Sequence, residues 1–320
     1  MAINKAMRAA LKALSYPDLD VKKTYKMERQ VVSLTSKRLV KSPFYKTWDH
    51  RVTCGDHEVP VRIFSLPDGL LHPVLLFFHG GGWVTGNIDS YDKVCTDMAR
   101  LTNHVVVSVD YRLAPEHRFP AGLEDCYAVT REIFLDGALL GTRPEEITLI
   151  GDSAGGNLAA AVSLLARDRG EFLPARQILI YPATYNDHSE NSPFPSVREN
   201  GADYLLTSKR VNDFMELYRN TEEDLQSPYF APLLAQDFSR QPRTLIITAE
   251  YCPLRDEGEA YGLKLLEAGN AVEVHRIRDA LHGFLSLPPR FAQVKHTYDI
   301  INRFLDEVTP DEILPPVEQT

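Results

Sequence analysis

No run of apolar residues approaches the roughly 20 needed to cross a bilayer as a helix, so the sequence excludes a helical membrane span. Basic charge is not in excess either. Lys and Arg total 35 against 44 Asp and Glu, a net charge of −9, and no basic cluster interrupts that balance, which argues against a nucleic-acid surface. Cysteine is scarce: Cys54, Cys95, Cys126 and Cys252 are far apart with no C-x-x-C pair, so neither a zinc site nor a disulfide scaffold is expected and the thiols are read as reduced. The opening stretch, Met1 to Leu11, scatters charges among apolar residues without a secretory hydrophobic core or cleavage site. A cytoplasmic location is therefore the expectation. No internal repeat is found. What remains, 320 residues with 44% hydrophobic and 25% charged side chains, suits one large α/β enzyme domain plus an accessory element.

Residues 1–45 show helical apolar spacing broken by Tyr16-Pro17-Asp18, with Lys22, Lys23, Lys26 and Arg29 read as a solvated basic face. From Trp48 to Ser65 the period changes to strand alternation around a Cys54-Gly55-Asp56 turn, the signature of an antiparallel pair at a sheet margin. A continuous apolar run follows at Val74–Phe78, the mainly apolar segments Val105–Val109, Ile147–Ile150, Gln177–Tyr181 and Thr244–Thr248 read as further buried strands, and Ala271–Ile277 supplies a last strand. Helical patterns separate them. This rhythm predicts a mostly parallel central sheet flanked by helices, with core segments 46–182 and 230–308. Residues 183–229 interrupt the rhythm with a polar, Pro-containing stretch and a helix from Ser208 to Tyr218. They are read as an insertion. A final helix spans 298–306, and 309–320 is an acidic, proline-rich tail.

Chemistry concentrates in three places. Gly151-Asp152-Ser153-Ala154-Gly155 follows a strand and opens a helix, and small residues on both sides of Ser153 permit a turn sharp enough to hold its hydroxyl out as a nucleophile. The helix start adds unpaired N–H groups and a positive dipole end beside it. By itself, such a turn is equally suited to binding phosphate or simply to packing. Second, His79-Gly80-Gly81-Gly82-Trp83 ends a buried strand, and Gly81 and Gly82 can present backbone N–H groups to an oxyanion together with Ala154. His79 is expected to order that loop, and Trp83 to wall a pocket. Third, His282 in Leu281-His282-Gly283 lies just past the last strand, where a general base would follow a serine nucleophile in chain order. Together they give three of the four parts that acyl transfer needs, nucleophile, base and oxyanion donors, without the acid that orients the base.

Those glycine and serine segments, with Asp110-Tyr111-Arg112-Leu113-Ala114-Pro115-Glu116, resemble the hormone-sensitive-lipase family of esterases over about residues 48–306. The resemblance implies an α/β-hydrolase fold under a helical cap built from residues 1–45 and 183–229. It also implies hydrolysis of short-chain acyl esters, acetyl to about hexanoyl, with no cofactor and no metal, and it is compatible with a homodimer through the sheet edge. Arg112 and Glu116 are assigned to packing and ion pairing, and Asp152 to bracing the turn.

One position departs from the family. Its catalytic acid is the first residue of a D-P-L-x-D stretch, which here reads Cys252-Pro253-Leu254-Arg255-Asp256. A thiol with a pKa of about 8.5 is mainly neutral at pH 7 and accepts hydrogen bonds weakly, so it should orient and charge-stabilise an imidazole poorly. Four readings stay open. The triad is weakened; or Asp256 substitutes, although it stands about 6 Å further along a helix axis; or Cys252 carries negative charge as a thiolate or sulfinate; or catalysis is lost and the pocket binds a ligand, as in the gibberellin receptors that resemble this family.

Overall fold

The computed structural model describes residues 11–13, 15, 20–35, 46–136 and 140–306; the expected tail at 309–320 lies outside them. Eight strands form one sheet. They are β1 (Lys46–Cys54), β2 (His57–Ser65), β3 (Val74–Phe78), β4 (Val105–Val109), β5 (Ile147–Asp152), β6 (Arg176–Ile180), β7 (Arg243–Tyr251) and β8 (Val272–Leu281), in the spatial order β1-β2-β4-β3-β5-β6-β7-β8. β1 pairs antiparallel with β2, and β2 with β4; every later pairing is parallel. All five residues of β3 and all six of β5 are buried, because strands covered on both faces have no solvent side to alternate with.

Eight of the helices bear on the argument. α1 spans Val21–Thr35, α2 Asp92–Thr102, α3 Ala121–Leu135, α4 Ala154–Arg169, α5 Pro195–Asn200, α6 Ser208–Tyr218 and α7 Arg255–Glu267. The last, α8, runs from Ala292 to Asp306, six residues earlier than expected, because its first turns carry the polar Gln293, Lys295 and His296. α3 packs beside α4, which lies on β3, β5 and β6, whereas α2 packs beside α8. The connection from β6 to β7 carries α5 and α6, and α6 packs against α1.

Two strands outrun their sequence signals. β7 continues past Thr248 to Tyr251, and β8 past Ile277 to Leu281, bringing residues 252 and 282 side by side. β8 is an edge strand with one neighbour, so its outward positions hold polar residues such as Arg278 and Asp279 that erase the apolar pattern. The solvated basic face expected on α1 is exposed at Lys22, Lys23 and Lys26 but is corrected at Arg29. Lys22 reaches the Glu216 carboxylate at 2.7 Å, and Arg29 turns inward to donate to two backbone carbonyls, at Val84 and Ala114. Periodicity places residues on a helix face, but long basic side chains can bend back from that face to acceptors below.

Candidate active site

Ser153 stands between the last residue of β5 and the first of α4, with φ 55° and ψ −118°. A non-glycine residue in that region costs about 1–3 kcal/mol and persists only where its surroundings hold it. Three backbone hydrogen bonds do so. The Ser153 N–H donates to the Ile180 carbonyl at 2.9 Å, and its own carbonyl accepts from the N–H groups of Asn157 at 3.0 Å and Ala183 at 3.3 Å. The flanking glycines are required by proximity: a Cβ on Gly155 would fall into the Phe78 carbonyl at the end of β3. The buried Asn157 side chain donates to the carbonyls of Ala183 and Phe230, at 2.9 and 2.8 Å, and so fixes both flanks of the β6–β7 connection against α4.

The Ser153 hydroxyl lies 2.8 Å from Nε2 of His282, whose ring leans on Tyr181 with centroids 4.7 Å apart. Nδ1 of His282 is 3.1 Å from Sγ of Cys252, and the sulfur also accepts the Leu254 N–H at 3.4 Å. Serine, imidazole and thiol thus form one line. Burial pushes the His282 imidazole down to about 3, and no anion opposes it; burial also pushes the Cys252 thiol far above its ordinary range, against the Leu254 N–H. Both groups are neutral. A neutral pair can share its protons in two ways. Nδ1–H can donate to sulfur, leaving Nε2 free to take the Ser153 proton, or S–H can donate to Nδ1, placing the ring proton on Nε2. A carboxylate would accept only from Nδ1–H.

Asp256 does not join this line. Its Oδ2 accepts the Ser196 N–H at 2.7 Å and its Oδ1 takes Nε of Arg255 at 2.7 Å, so the carboxylate faces α5. Burial pushes that carboxyl up, but the Arg255 guanidinium and Ser196 outweigh it and hold the group below its usual range.

The glycine loop is pinned from several sides. Gly80 N–H donates to Asp152 Oδ1 at 2.8 Å and to the Tyr91 hydroxyl at 3.1 Å, while the Tyr91 O–H donates to Asp152 Oδ2 at 3.1 Å. One carboxylate therefore ties the serine turn to the loop. Burial pushes Asp152 up to about 6, against those donors. His79 donates from Nδ1 to the Gly80 carbonyl at 2.8 Å, stacks on Tyr111 at 4.3 Å, and is pushed down to about 4 by burial, so it is a neutral brace. The Gly81 carbonyl accepts from Val84 N–H and Thr85 N–H at 3.1 and 2.9 Å. Gly81 takes φ +120°, a conformation suited to glycine.

A cavity of about 270 Å³ brings Ser153, His282, Gly81, Gly82 and Ala154 together. Trp83 lines it, 3% exposed and stacked on Tyr218 at 4.5 Å. Arg112 is paired with Asp125 at 2.8 Å and Glu116 with Arg29 at 2.9 Å. Sequence reasoning missed Tyr91, which precedes α2, and Leu206 and Phe214, which reach the cavity from the β6–β7 connection. No motif marks them. Among the described residues, no cluster of His, Cys, Asp and Glu is arranged to hold a metal, and no helix is long and apolar enough to cross a membrane.

A serine on a strand-to-helix turn, a histidine after the last strand and a glycine loop beyond β3 are the arrangement of an α/β hydrolase. Residues 75–286 match the alpha/beta hydrolase fold family model, and the chain belongs to that family, among the hormone-sensitive-lipase-like esterases. It is similar to an arylesterase of Saccharolobus solfataricus, 36% identical over 269 residues, covering 84% of this chain and 86% of the relative. It is also similar to the carboxylesterase NlhH of Mycobacterium tuberculosis, 39% identical over 239 residues, with 72% and 73% covered. Among solved structures, a hyperthermophilic esterase from the archaeon Pyrobaculum calidifontis superposes with a TM-score of 0.82 at 34% identity, covering 95% of this chain and 98% of that one.

Proposed function

We propose that this carboxylic ester hydrolase cleaves short-chain acyl esters, acetyl to about hexanoyl, through a Ser153 acyl-enzyme. His282 takes the Ser153 proton as the hydroxyl attacks the ester carbonyl, then passes it to the departing alcohol; the backbone N–H groups of Gly81, Gly82 and Ala154 receive the oxyanion. Water, deprotonated by the same imidazole, then releases the acid. The 2.8 Å contact between Ser153 Oγ and His282 Nε2 carries this reading. The cavity of about 270 Å³ favours short acyl groups.

Cys252 holds the acid's place, and the activity is weakened by it. Imidazolium forms in the transition state beside a neutral thiol, so its stabilisation is slight. Esters whose alcohol leaves readily as an anion, such as phenyl esters, depend least on protonation by His282 and should be turned over fastest.

The test is hydrolysis of p-nitrophenyl acetate, butyrate, hexanoate and decanoate by the purified full-length protein beside Ser153→Ala. Ser153-dependent turnover that falls beyond hexanoate is expected. The buried thiol in the acid's place is the one observation that favours a ligand-binding protein on this scaffold. Turnover no greater than that of Ser153→Ala would establish that alternative.

A further inference from the structure

The inward turn of Arg29 joins the N-terminal helix to the glycine loop. Its Nε donates to the Val84 carbonyl at 2.6 Å, and its Nη2 donates to the Ala114 carbonyl at 2.6 Å and to Glu116 at 2.9 Å. Val84 lies two residues after Gly82, and Ala114 donates its own N–H to the Trp83 carbonyl at 2.9 Å. One guanidinium therefore holds two adjoining backbone segments, at Val84 and Ala114, beside Gly81 and Gly82. The same helix, α1, is bound to α6: Val21 N–H donates to Asp213 at 3.3 Å, Lys22 meets Glu216 at 2.7 Å, and Glu28 meets Arg210 at 3.1 Å. From α6, Phe214 presses its ring against Gly82, where a Cβ would overlap it, and Arg210 and Phe214 both line the catalytic cavity.

We propose that Arg29 is a positioning residue for ester hydrolysis: reaching from α1, it holds the backbone beside the glycine loop and so fixes the placement of the Gly81 and Gly82 N–H donors. The inference rests on the esterase reading above. The planar guanidinium supplies parallel donors in a fixed fork, which a lysine ammonium cannot reproduce across two carbonyls. Both carbonyls are acceptors within buried backbone, so losing their donor leaves them unpaired and frees the loop to shift. Misplacement of about 1 Å in a catalytic group costs up to a hundredfold in rate. Because several other hydrogen bonds still hold this loop, the shift is smaller. It acts on the transition state, where the oxyanion forms, more than on ester binding.

The experiment compares full-length R29Q, R29K and K22Q with the parent enzyme, using p-nitrophenyl butyrate turnover, thermal unfolding, and inhibition by a short-chain trifluoromethyl ketone that forms a tetrahedral adduct with the serine. In R29Q, kcat is expected to fall about tenfold with KM within about twofold, and ketone affinity to fall by the same factor as kcat/KM. R29K recovers part of the loss. K22Q, which loosens α1 from α6 without touching the loop, keeps the parent kcat. A folded R29Q with parental kcat would overturn the proposal, as would unchanged ketone affinity beside a reduced kcat, or an equal loss in K22Q, which would mean that Arg29 acts only by docking α1. A parent enzyme with no Ser153-dependent turnover removes both the esterase reading and this one; an active parent matched by R29Q removes only the role of Arg29.

Discussion

Replacing Cys252 with Asp should return a charge to the one place in the site where it is missing. The side chain is already aimed, since the sulfur sits 3.1 Å from His282 Nδ1, and a carboxylate reaches slightly further from Cβ than a thiol does. That closes the gap to a charge-assisted hydrogen bond of about 2.7–2.9 Å. The Leu254 N–H, which now donates to sulfur at 3.4 Å, gives the new carboxylate a second partner. Opposite charges about 4 Å apart at an effective dielectric constant near 20 attract by about 4 kcal/mol, which in a transition state carrying imidazolium corresponds to roughly a thousandfold in rate. The carboxylate also accepts only from Nδ1–H, so it removes the arrangement in which Nε2 is blocked by its own proton. Loss of the correct tautomer in serine proteases costs about 10⁴-fold, which sets the upper end of the expected gain. The assay is kcat for p-nitrophenyl butyrate, normalised by titrating active sites with an organophosphate, for the parent, Cys252→Asp and Asp256→Asn. Cys252→Asp should rise by two to four orders of magnitude. Asp256→Asn should leave kcat within about twofold while losing about 1 kcal/mol of stability, since its carboxylate serves Ser196 and Arg255. A gain below tenfold in Cys252→Asp would refute the reasoning, and a collapse of kcat in Asp256→Asn would pass the acid's role to that residue.

Three further outcomes are expected. With His282 held near 3 by burial, the imidazole stays neutral far below the ordinary histidine range, so the acid limb of kcat/KM should lie well under pH 6.5 and move upward in Cys252→Asp, where an anion favours imidazolium. The linked stability has the same origin: a folded pKa below the unfolded 6.5 contributes stability above pH 6.5 that is lost as pH falls toward 3, measurable by denaturant titration at stepped pH. Gly155→Ala should destabilise the fold by about 3 kcal/mol or more, because its Cβ meets the rigid Phe78 carbonyl rather than a movable side chain, and thermal unfolding will read this directly.

The site was legible wherever chemistry confines its residues to a short window. Ser153 with its glycines, the loop from His79 to Trp83, and His282 after a strand are each written in a few consecutive positions, and the structure brings them to one cavity. The strand β3 announced itself through an unbroken apolar run, and β4 and β5 through mainly apolar ones. β8 hid its last turns because an edge strand alternates with solvent. Arg29, Tyr91 and Phe214 were illegible for a different reason: what each does depends on a partner far off in sequence, and local periodicity carries no record of such partners. The basic residues on α1 illustrate the error this causes. On a face that is solvated at Lys22, Lys23 and Lys26, Arg29 alone turns inward to the backbone beside the glycine loop.

Asp152 joins the serine turn to the Gly80 backbone through a single side chain, so Ser153 and the start of the glycine loop are tied to each other directly. Thermal motion that carries one carries the other. Their separation is consequently protected even when the surrounding connection breathes, and warming should erode the alignment of His282, which hangs from β7 and β8 on the far side, before it erodes the spacing between Ser153 and the glycine loop.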